Sequence, residues 1–142
     1  MKITIVGAGY VGLSIGLLLS RNHEVTFLDL VDHKVNQINN GISPIEDNEI
    51  KDFFENNKAN LVATTDKESA YRNAELVVIA TPTSYDEITE CFDTSSVEST
   101  IKDSFFFNQN HIIIIKSTVP IGFTRKMRDK FSYNDIIFSP EF

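Results

Sequence analysis

Three glycines near the start of the chain have the spacing of a phosphate-binding turn. Gly7, Gly9 and Gly12 follow the apolar, β-branched run Lys2–Val6. In a strand–turn–helix unit, the first glycine allows a tight turn, the second lets a pyrophosphate approach the backbone, and the third lets the helix pack closely on the strand. The phosphates then lie at the helix N-terminus, where free N–H groups and the helix dipole favour negative charge. The spacing predicts dinucleotide binding; the alternative is an ordinary turn with incidental glycines.

Polar side chains follow four predicted strands, at the sheet edge where ligands bind in open α/β folds. Thr83 and Thr118 can donate hydrogen bonds to a cofactor or a water, and each can equally cap the segment that follows it. Glu141 can serve as a general base if it is partly buried, although an isolated glutamate is usually a solvated charge. The full set comprises Asp29 and residues 81–83, 117–120 and 139–142.

Asp29, at the end of the second predicted strand, favours NAD over NADP. A carboxylate there accepts hydrogen bonds from ribose hydroxyls and repels a 2′-phosphate. Lys34, one turn into the next helix, can instead meet a phosphate, or it can be a solvated side chain. Because no arginine directly follows Asp29, the sequence predicts NAD as the cofactor.

Neither the cysteine nor the histidines of the chain suggest a further reactive centre. Cys91 is the only cysteine and has no histidine near it in the sequence, so we do not expect it to be catalytic. His23, His33 and His111 do not have the spacing of metal ligands, and no metal site is predicted.

Apolar strand candidates alternate with helical stretches along the whole chain, which predicts an α/β fold. We expect a Rossmann-type, doubly wound, mostly parallel six-stranded sheet with helices on both faces and strand order 3-2-1-4-5-6. Asp66 is a candidate N-cap, as are Thr94 and Ser95, with Glu98 completing a capping box. The predicted strands cover residues 2–6, 24–28, 60–63, 75–80, 111–116 and 135–138; the predicted helices cover residues 10–21, 31–39, 48–56, 67–72, 95–107 and 122–131.

Chain length, net charge and cysteine content limit the classes of protein to which the chain can belong. The 142 residues fit one domain, and the net charge of −7 argues against nucleic acid or an anionic membrane as partner. A single cysteine suits a reducing compartment, and residues 1–2 run directly into a predicted strand without a signal-peptide pattern. These features predict a cytoplasmic protein.

Together these motifs resemble the NAD-binding domain of the UDP-glucose/GDP-mannose dehydrogenase family. The resemblance spans the chain and is carried by residues 7–13, 42–45, 80–83, 92–98, 115–124 and 137–142. It implies oxidation of the C6 alcohol of a nucleotide sugar to a carboxylate with two NAD⁺, through a thioester on a cysteine. It also implies that residues 1–142 are the NAD-binding domain of a longer, homodimeric protein, whose central helix and nucleotide-sugar domain lie outside this chain.

The resemblance also implies roles for particular residues. Gly7, Tyr10, Val11 and Gly12 would hold the pyrophosphate. Asp29 and Lys34 would contact the adenosine ribose, and Thr83 and Thr118 the cofactor further along. Thr118 and Glu141 would position or activate the hydrolytic water, and Glu141 and Phe142 would lie along the substrate. Cys91 does not match the nucleophile of the family.

This chain is therefore expected to bind NAD as a monomer and to be inactive alone, with UDP-glucose as the implied substrate. Several alternatives remain open: an enzyme of the same family acting on GDP-mannose or a UDP-N-acetyl sugar, a stand-alone NAD-binding module, or a relic that binds nothing.

Overall fold

The computed structural model describes residues 1–57, 59–88 and 90–141. Over these residues, apolar runs alternate with amphipathic helices along the chain. In chain order the elements are β1 (Lys2–Val6), α1 (Tyr10–Leu19), β2 (Glu24–Leu28), α2 (Asp32–Asn39), α3 (Asn48–Asn56), β3 (Leu61–Thr64), α4 (Lys67–Tyr71), β4 (Leu76–Ile79), β5 (Tyr85–Asp86), β6 (Cys91–Phe92), α5 (Ser95–Phe107), β7 (Ile112–Ile115), α6 (Phe123–Phe131) and β8 (Ile136–Phe138).

Six of the strands form one parallel sheet in the order β3-β2-β1-β4-β7-β8. This confirms the predicted Rossmann-type order. The chain winds outward from β1 in one direction and then returns to the other side of β1 with β4. Ligands bind in open α/β sheets at this switch point, outside the carboxyl ends of the strands.

Each face of the sheet has its own apolar core. One core packs α1, α2 and α3 against residues such as Ile5 and Phe27, and the other packs α4, α5 and α6 against residues such as Val77 and Ile113. Because successive strand residues point to opposite faces, the continuous apolar runs of β4 and β7 serve both cores.

The first of these cores reaches Ile114 of β7 but does not cover the neighbouring residues on that face of β7 and β8. Ile112 and Ile137 lie on that side and are 39% and 45% exposed. The structure therefore has an exposed apolar strip on this side of the sheet. No helix among the described residues is long and apolar enough to cross a bilayer.

Two local features differ from the sequence-based expectations. A short antiparallel hairpin, β5–β6, occupies a stretch where no strand was predicted. At α5, Thr94 is the N-cap, as one of the two candidates predicted, but the expected capping box is absent. Thr94 provides no side-chain cap, and Asp93 accepts from the Ser95 N–H at 2.9 Å. The cap predicted at α4 is confirmed, since the Asp66 carboxylate accepts from two backbone N–H groups of the first turn.

Candidate cofactor-binding site

Two glycines of the turn after β1 are required by the path of the backbone. Gly7 has a φ of +100°, and a Cβ placed on it would lie 2.6 Å from the carbonyl oxygen of Ala80. A Cβ on Gly12 would lie 1.9 Å from the carbonyl oxygen of Gly7. The turn therefore packs against both the end of β4 and the first turn of α1, and larger residues do not fit at either position.

Gly9 differs from both, because a Cβ there would meet no protein atom within 4 Å. Gly9 is the N-cap of α1 and provides no side-chain cap, and the first turn of this helix carries no acidic residue. The first N–H to bond back is that of Leu13, to the Gly9 carbonyl. The backbone N–H groups of Tyr10, Val11 and Gly12 therefore have no partner within the helix, which is the arrangement that fits a phosphate.

A cavity of about 520 Å³, which we call the turn cavity, lies at this helix N-terminus. Its walls come from the turn and from the segments that follow β2, β4, β7 and β8, so the four sets of polar residues do converge. The predicted site residues on its wall are Gly7, Gly9, Tyr10, Val11, Asp29, Lys34, Thr83, Thr118 and Glu141. Gly12 lies beneath the turn and does not line the cavity, and Phe142 lies outside the described residues.

Asp29 ties the turn to the end of β2. One carboxylate oxygen accepts from the Ala8 N–H at 2.8 Å, and the other accepts from the Val31 N–H at 2.9 Å. A carboxylate offers about four lone-pair positions, so both oxygens keep acceptor capacity toward ribose hydroxyls. Asp29 therefore shapes the turn and still presents acceptors to the turn cavity.

A second cavity of about 320 Å³, the α4–α5 cavity, adjoins the turn cavity. Five residues line both cavities: Gly7, Asp29, Lys34, Thr81 and Pro82. Leu30, Val31 and Pro82 give it apolar wall area, which suits the faces of an aromatic ring. Its remaining wall comes from the ends of β1 and β2 and from α4 and α5: Val6, Leu28, Lys67, Tyr71, Ser96, Ser99, Thr100 and Asp103. The motifs in the sequence did not predict this cavity.

Glu141 forms an ion pair that the sequence pattern did not predict. The Lys116 ammonium lies 3.0 Å from the Glu141 carboxylate, and the Lys116 side chain is only 13% exposed. The Glu141 side chain is 56% exposed, so among the described residues it is paired but not buried. The ion pair fixes the carboxylate at the edge of the turn cavity. This role of Lys116 could not be predicted from the sequence, because a lysine at a strand end normally extends into solvent.

Two serine hydroxyls brace the segment that follows β4. Ser117 donates to the carbonyl oxygen of Thr81 at 2.7 Å, and Ser96 donates to that of Pro82 at 3.0 Å. These bonds fix the wall between the two cavities, on which Thr83 is placed. The pattern of polar residues after the strands pointed to the threonines of these segments and indicated no role for the two serines.

Cys91 and the histidines lie outside both cavities. Cys91 is exposed on β6, and His111 is buried at the amino end of β7. Within residues 1–57, 59–88 and 90–141, no group of three or more His, Cys, Asp or Glu side chains could hold a metal ion.

The chain matches known proteins over its whole length. The model of the NAD-binding domain of the UDP-glucose/GDP-mannose dehydrogenase family covers residues 1–142. The chain is 48% identical to the UDP-glucose 6-dehydrogenase of Streptococcus pneumoniae and 50% identical to that of Campylobacter jejuni; each match covers all of this chain and 36% or 37% of the relative.

Among solved structures, the chain resembles a GDP-mannose dehydrogenase from Pseudomonas aeruginosa with a TM-score of 0.84 and 26% identity. That match covers all of this chain and 36% of the other. The chain thus spans little more than a third of the length of these relatives. The family model matches the full chain, and the glycine turn lies at the switch point of the sheet. The chain therefore belongs to the UDP-glucose/GDP-mannose dehydrogenase family, as its NAD-binding domain.

Proposed function

We propose that this chain supplies the NAD⁺-binding domain of an enzyme that oxidises the C6 alcohol of UDP-glucose to a carboxylate, using two NAD⁺. The identity of 48–50% to two UDP-glucose 6-dehydrogenases supports the substrate. The observation that carries the cofactor assignment is the uncapped N-terminus of α1, with open space above Gly9. No described feature favours GDP-mannose or an N-acetyl sugar.

The residues of the two cavities fit the parts of NAD⁺ in order. The N–H groups of Tyr10, Val11 and Gly12 would bind the pyrophosphate, and Asp29 and Lys34 would bind the adenosine ribose. The adenine would enter the α4–α5 cavity, and the nicotinamide half would extend along the turn cavity. When bound, NAD⁺ supplies the acceptor for the hydride that leaves the sugar carbon.

The nicotinamide side of the turn cavity is lined by Thr83, Thr118 and Glu141. We assign Thr83 to cofactor binding, and Thr118 to both the cofactor and the hydrolytic water. Glu141, held by Lys116, would orient that water and contact the substrate together with Phe142. Cys91 lines neither cavity, so this chain does not contain the nucleophile that a thioester intermediate needs.

Calorimetric titration of this chain with NAD⁺ and NADP⁺ tests the cofactor assignment. We expect NAD⁺ to bind and NADP⁺ to bind about tenfold or more weakly, because Asp29 repels the 2′-phosphate. Asp29→Asn should reduce the difference between the NAD⁺ and NADP⁺ affinities. Asp32→Asn, which removes an exposed carboxylate on α2, should leave that difference unchanged. Absence of NAD⁺ binding by the folded chain would overturn the assignment.

Activity assays test the rest of the proposal. We expect no NADH from this chain with UDP-glucose, because the nucleophile is not in it. The full-length enzyme that contains this domain should reduce NAD⁺ with UDP-glucose in preference to GDP-mannose. Turnover by this chain alone would refute the proposal that the nucleophile lies outside it. A preference of the full-length enzyme for GDP-mannose would refute UDP-glucose as the substrate.

A further inference from the structure

Tyr71 has a polar group with no partner at the base of the α4–α5 cavity. It is the last residue of α4, and only 1% of its surface is accessible. Its ring packs in the core beside Phe107, with ring centroids 6.4 Å apart. Its hydroxyl has no hydrogen bond to any described residue, yet it is not fully enclosed, because Tyr71 lines the cavity.

The direction of the side chain is consistent with this placement. Side chains on a helix point back toward its N-terminus, and the N-terminus of α4 follows the carboxyl end of β3. With Phe107 beside its ring, Tyr71 reaches from the core to the wall of the α4–α5 cavity. Lys67 and Asp103, paired at 2.7 Å, flank the same cavity from α4 and α5.

Nearly all hydroxyls at buried positions in folded proteins have a hydrogen-bond partner, and the Tyr71 hydroxyl can find one only in a molecule that enters the cavity. A phenylalanine would fill the same core position without a polar group to satisfy. Burial, and secondarily the charge of Asp103, raise the pKa of Tyr71 above its ordinary value. The hydroxyl is therefore protonated at neutral pH and able to donate a hydrogen bond into the cavity.

We propose that the Tyr71 hydroxyl donates a hydrogen bond to a ring nitrogen of the adenine, and so makes the α4–α5 cavity selective for a purine base. This inference rests on the proposed function, in which that cavity receives the adenine. A purine reaches deeper into the cavity than a pyrimidine, because its second ring extends it away from the ribose. Leu30, Val31 and Pro82 provide apolar contact, and Tyr71 provides the polar contact at depth.

The test compares the wild-type chain with Tyr71→Phe by calorimetric titration with NAD⁺, ADP and CDP. CDP shares the ribose and diphosphate of ADP but carries a single-ring base. We expect Tyr71→Phe to bind NAD⁺ and ADP about tenfold more weakly and to bind CDP unchanged. Its melting temperature should not fall, because the hydroxyl has no partner in the protein to lose.

Tyr133→Phe is the matched control. The Tyr133 hydroxyl donates to the carbonyl oxygen of His111 at 2.6 Å, at the amino edge of the sheet. Its removal should lower the melting temperature and leave ADP affinity unchanged.

The titrations distinguish failure of the proposed function from failure of the role of Tyr71. A wild-type chain that binds neither NAD⁺ nor ADP overturns the proposed function and this inference with it. A wild-type chain that binds both, with equal affinity in Tyr71→Phe, overturns the role of Tyr71 alone. An equal loss for ADP and CDP also overturns that role, because it indicates a general disturbance of the site.

Discussion

Gly9 and Gly12 lie three residues apart in one turn, yet a side chain added at each meets opposite surroundings. The position above Gly9 is open, whereas Gly12 faces the backbone of Gly7. We expect Gly9→Val to fold, with a loss of stability of at most about 1 kcal/mol from the poorer N-cap. Its NAD⁺ affinity should fall more than tenfold, because the side chain occupies the space that a phosphate needs.

Gly12→Ala is the informative comparison, because its methyl group would push the turn apart. Circular dichroism melts should show a large loss of stability for Gly12→Ala and little for Gly9→Val. Unchanged NAD⁺ affinity in a folded Gly9→Val variant would contradict the assignment of the helix N-terminus as the phosphate site.

The buried position of His111 should make the stability of the domain depend on pH. It is 3% exposed, Nε2 lies 3.1 Å from the Ser104 hydroxyl, and Nδ1 has no partner among the described residues. Burial lowers the pKa of His111 below its usual value of 6.5. As the pH falls below that value, the unfolded chain takes up a proton that the folded chain does not, so the free energy of unfolding decreases.

Urea denaturation at about pH 7.5 and about pH 5.5 measures this effect. The free energy of unfolding of wild type should decrease from the higher pH to the lower one. That of His111→Gln should be smaller at the higher pH but should decrease less. His33→Gln, which changes an exposed histidine on α2, should follow wild type. If the free energy of unfolding of His111→Gln falls with pH as steeply as that of wild type, His111 is not the group that causes the pH dependence.

At this scale the sequence predicted residues that carry a motif and missed those that act through packing. Gly9 and Asp29 could be named because their spacing from a strand end has a known use. Tyr71 and Lys116 could not, because their importance depends on which cavity they line and which partner they meet. Those properties arise only when α4 packs beside α5 and β8 lies beside β7.

At the scale of elements, the contact of α1 with the sheet depends on a glycine outside the turn. A Cβ on Gly16 would lie 2.3 Å from the ring of Phe27, which is fully buried. The helix therefore approaches β2 more closely than any side chain at this position allows. The glycine motif indicated close packing at Gly12, but it does not include Gly16, one turn further along the same helix.

We expect Gly16→Ala to destabilise the domain by about 1–2 kcal/mol, although alanine is the better helix former, because overpacking exceeds the gain in propensity. Ser14→Ala, on the exposed side of α1, should be near neutral. Combining Gly16→Ala with Phe27→Leu should recover part of the loss, because the smaller side chain gives the methyl group room. Thermal denaturation of the four proteins checks this, and a neutral Gly16→Ala would contradict it.

Element types were predictable where the apolar pattern was long. β4 and β7 are continuous apolar runs, and such runs indicate strands covered on both faces. The hairpin β5–β6 was missed because its two-residue strands lie in a polar stretch without periodicity. Its pairing depends on backbone hydrogen bonds and on the contact of the Tyr85 and Phe92 rings, 5.0 Å apart between centroids, which no short pattern encodes.

For the whole molecule, the strand order determines where a ligand can bind. Because the chain leaves β1 in one direction and returns to β4 on the other side, the segments after these strands diverge and leave a crevice between them. The turn cavity and the α4–α5 cavity both open there. The order followed from the alternation of strands and helices, so the place of the site was predictable even where its individual contacts were not.

The N-terminus of α1 also determines how ionic strength should affect binding. The site offers a phosphate short-range N–H groups, while the chain as a whole carries a net charge of −7. Salt screens the long-range repulsion between this chain and an anionic nucleotide but hardly weakens hydrogen bonds made at contact distance. ADP affinity should therefore hold steady or rise between about 20 and 200 mM salt, opposite to proteins that bind phosphates through a basic surface. A steep fall over this range would mean that lysines, and not the helix end, dominate the attraction.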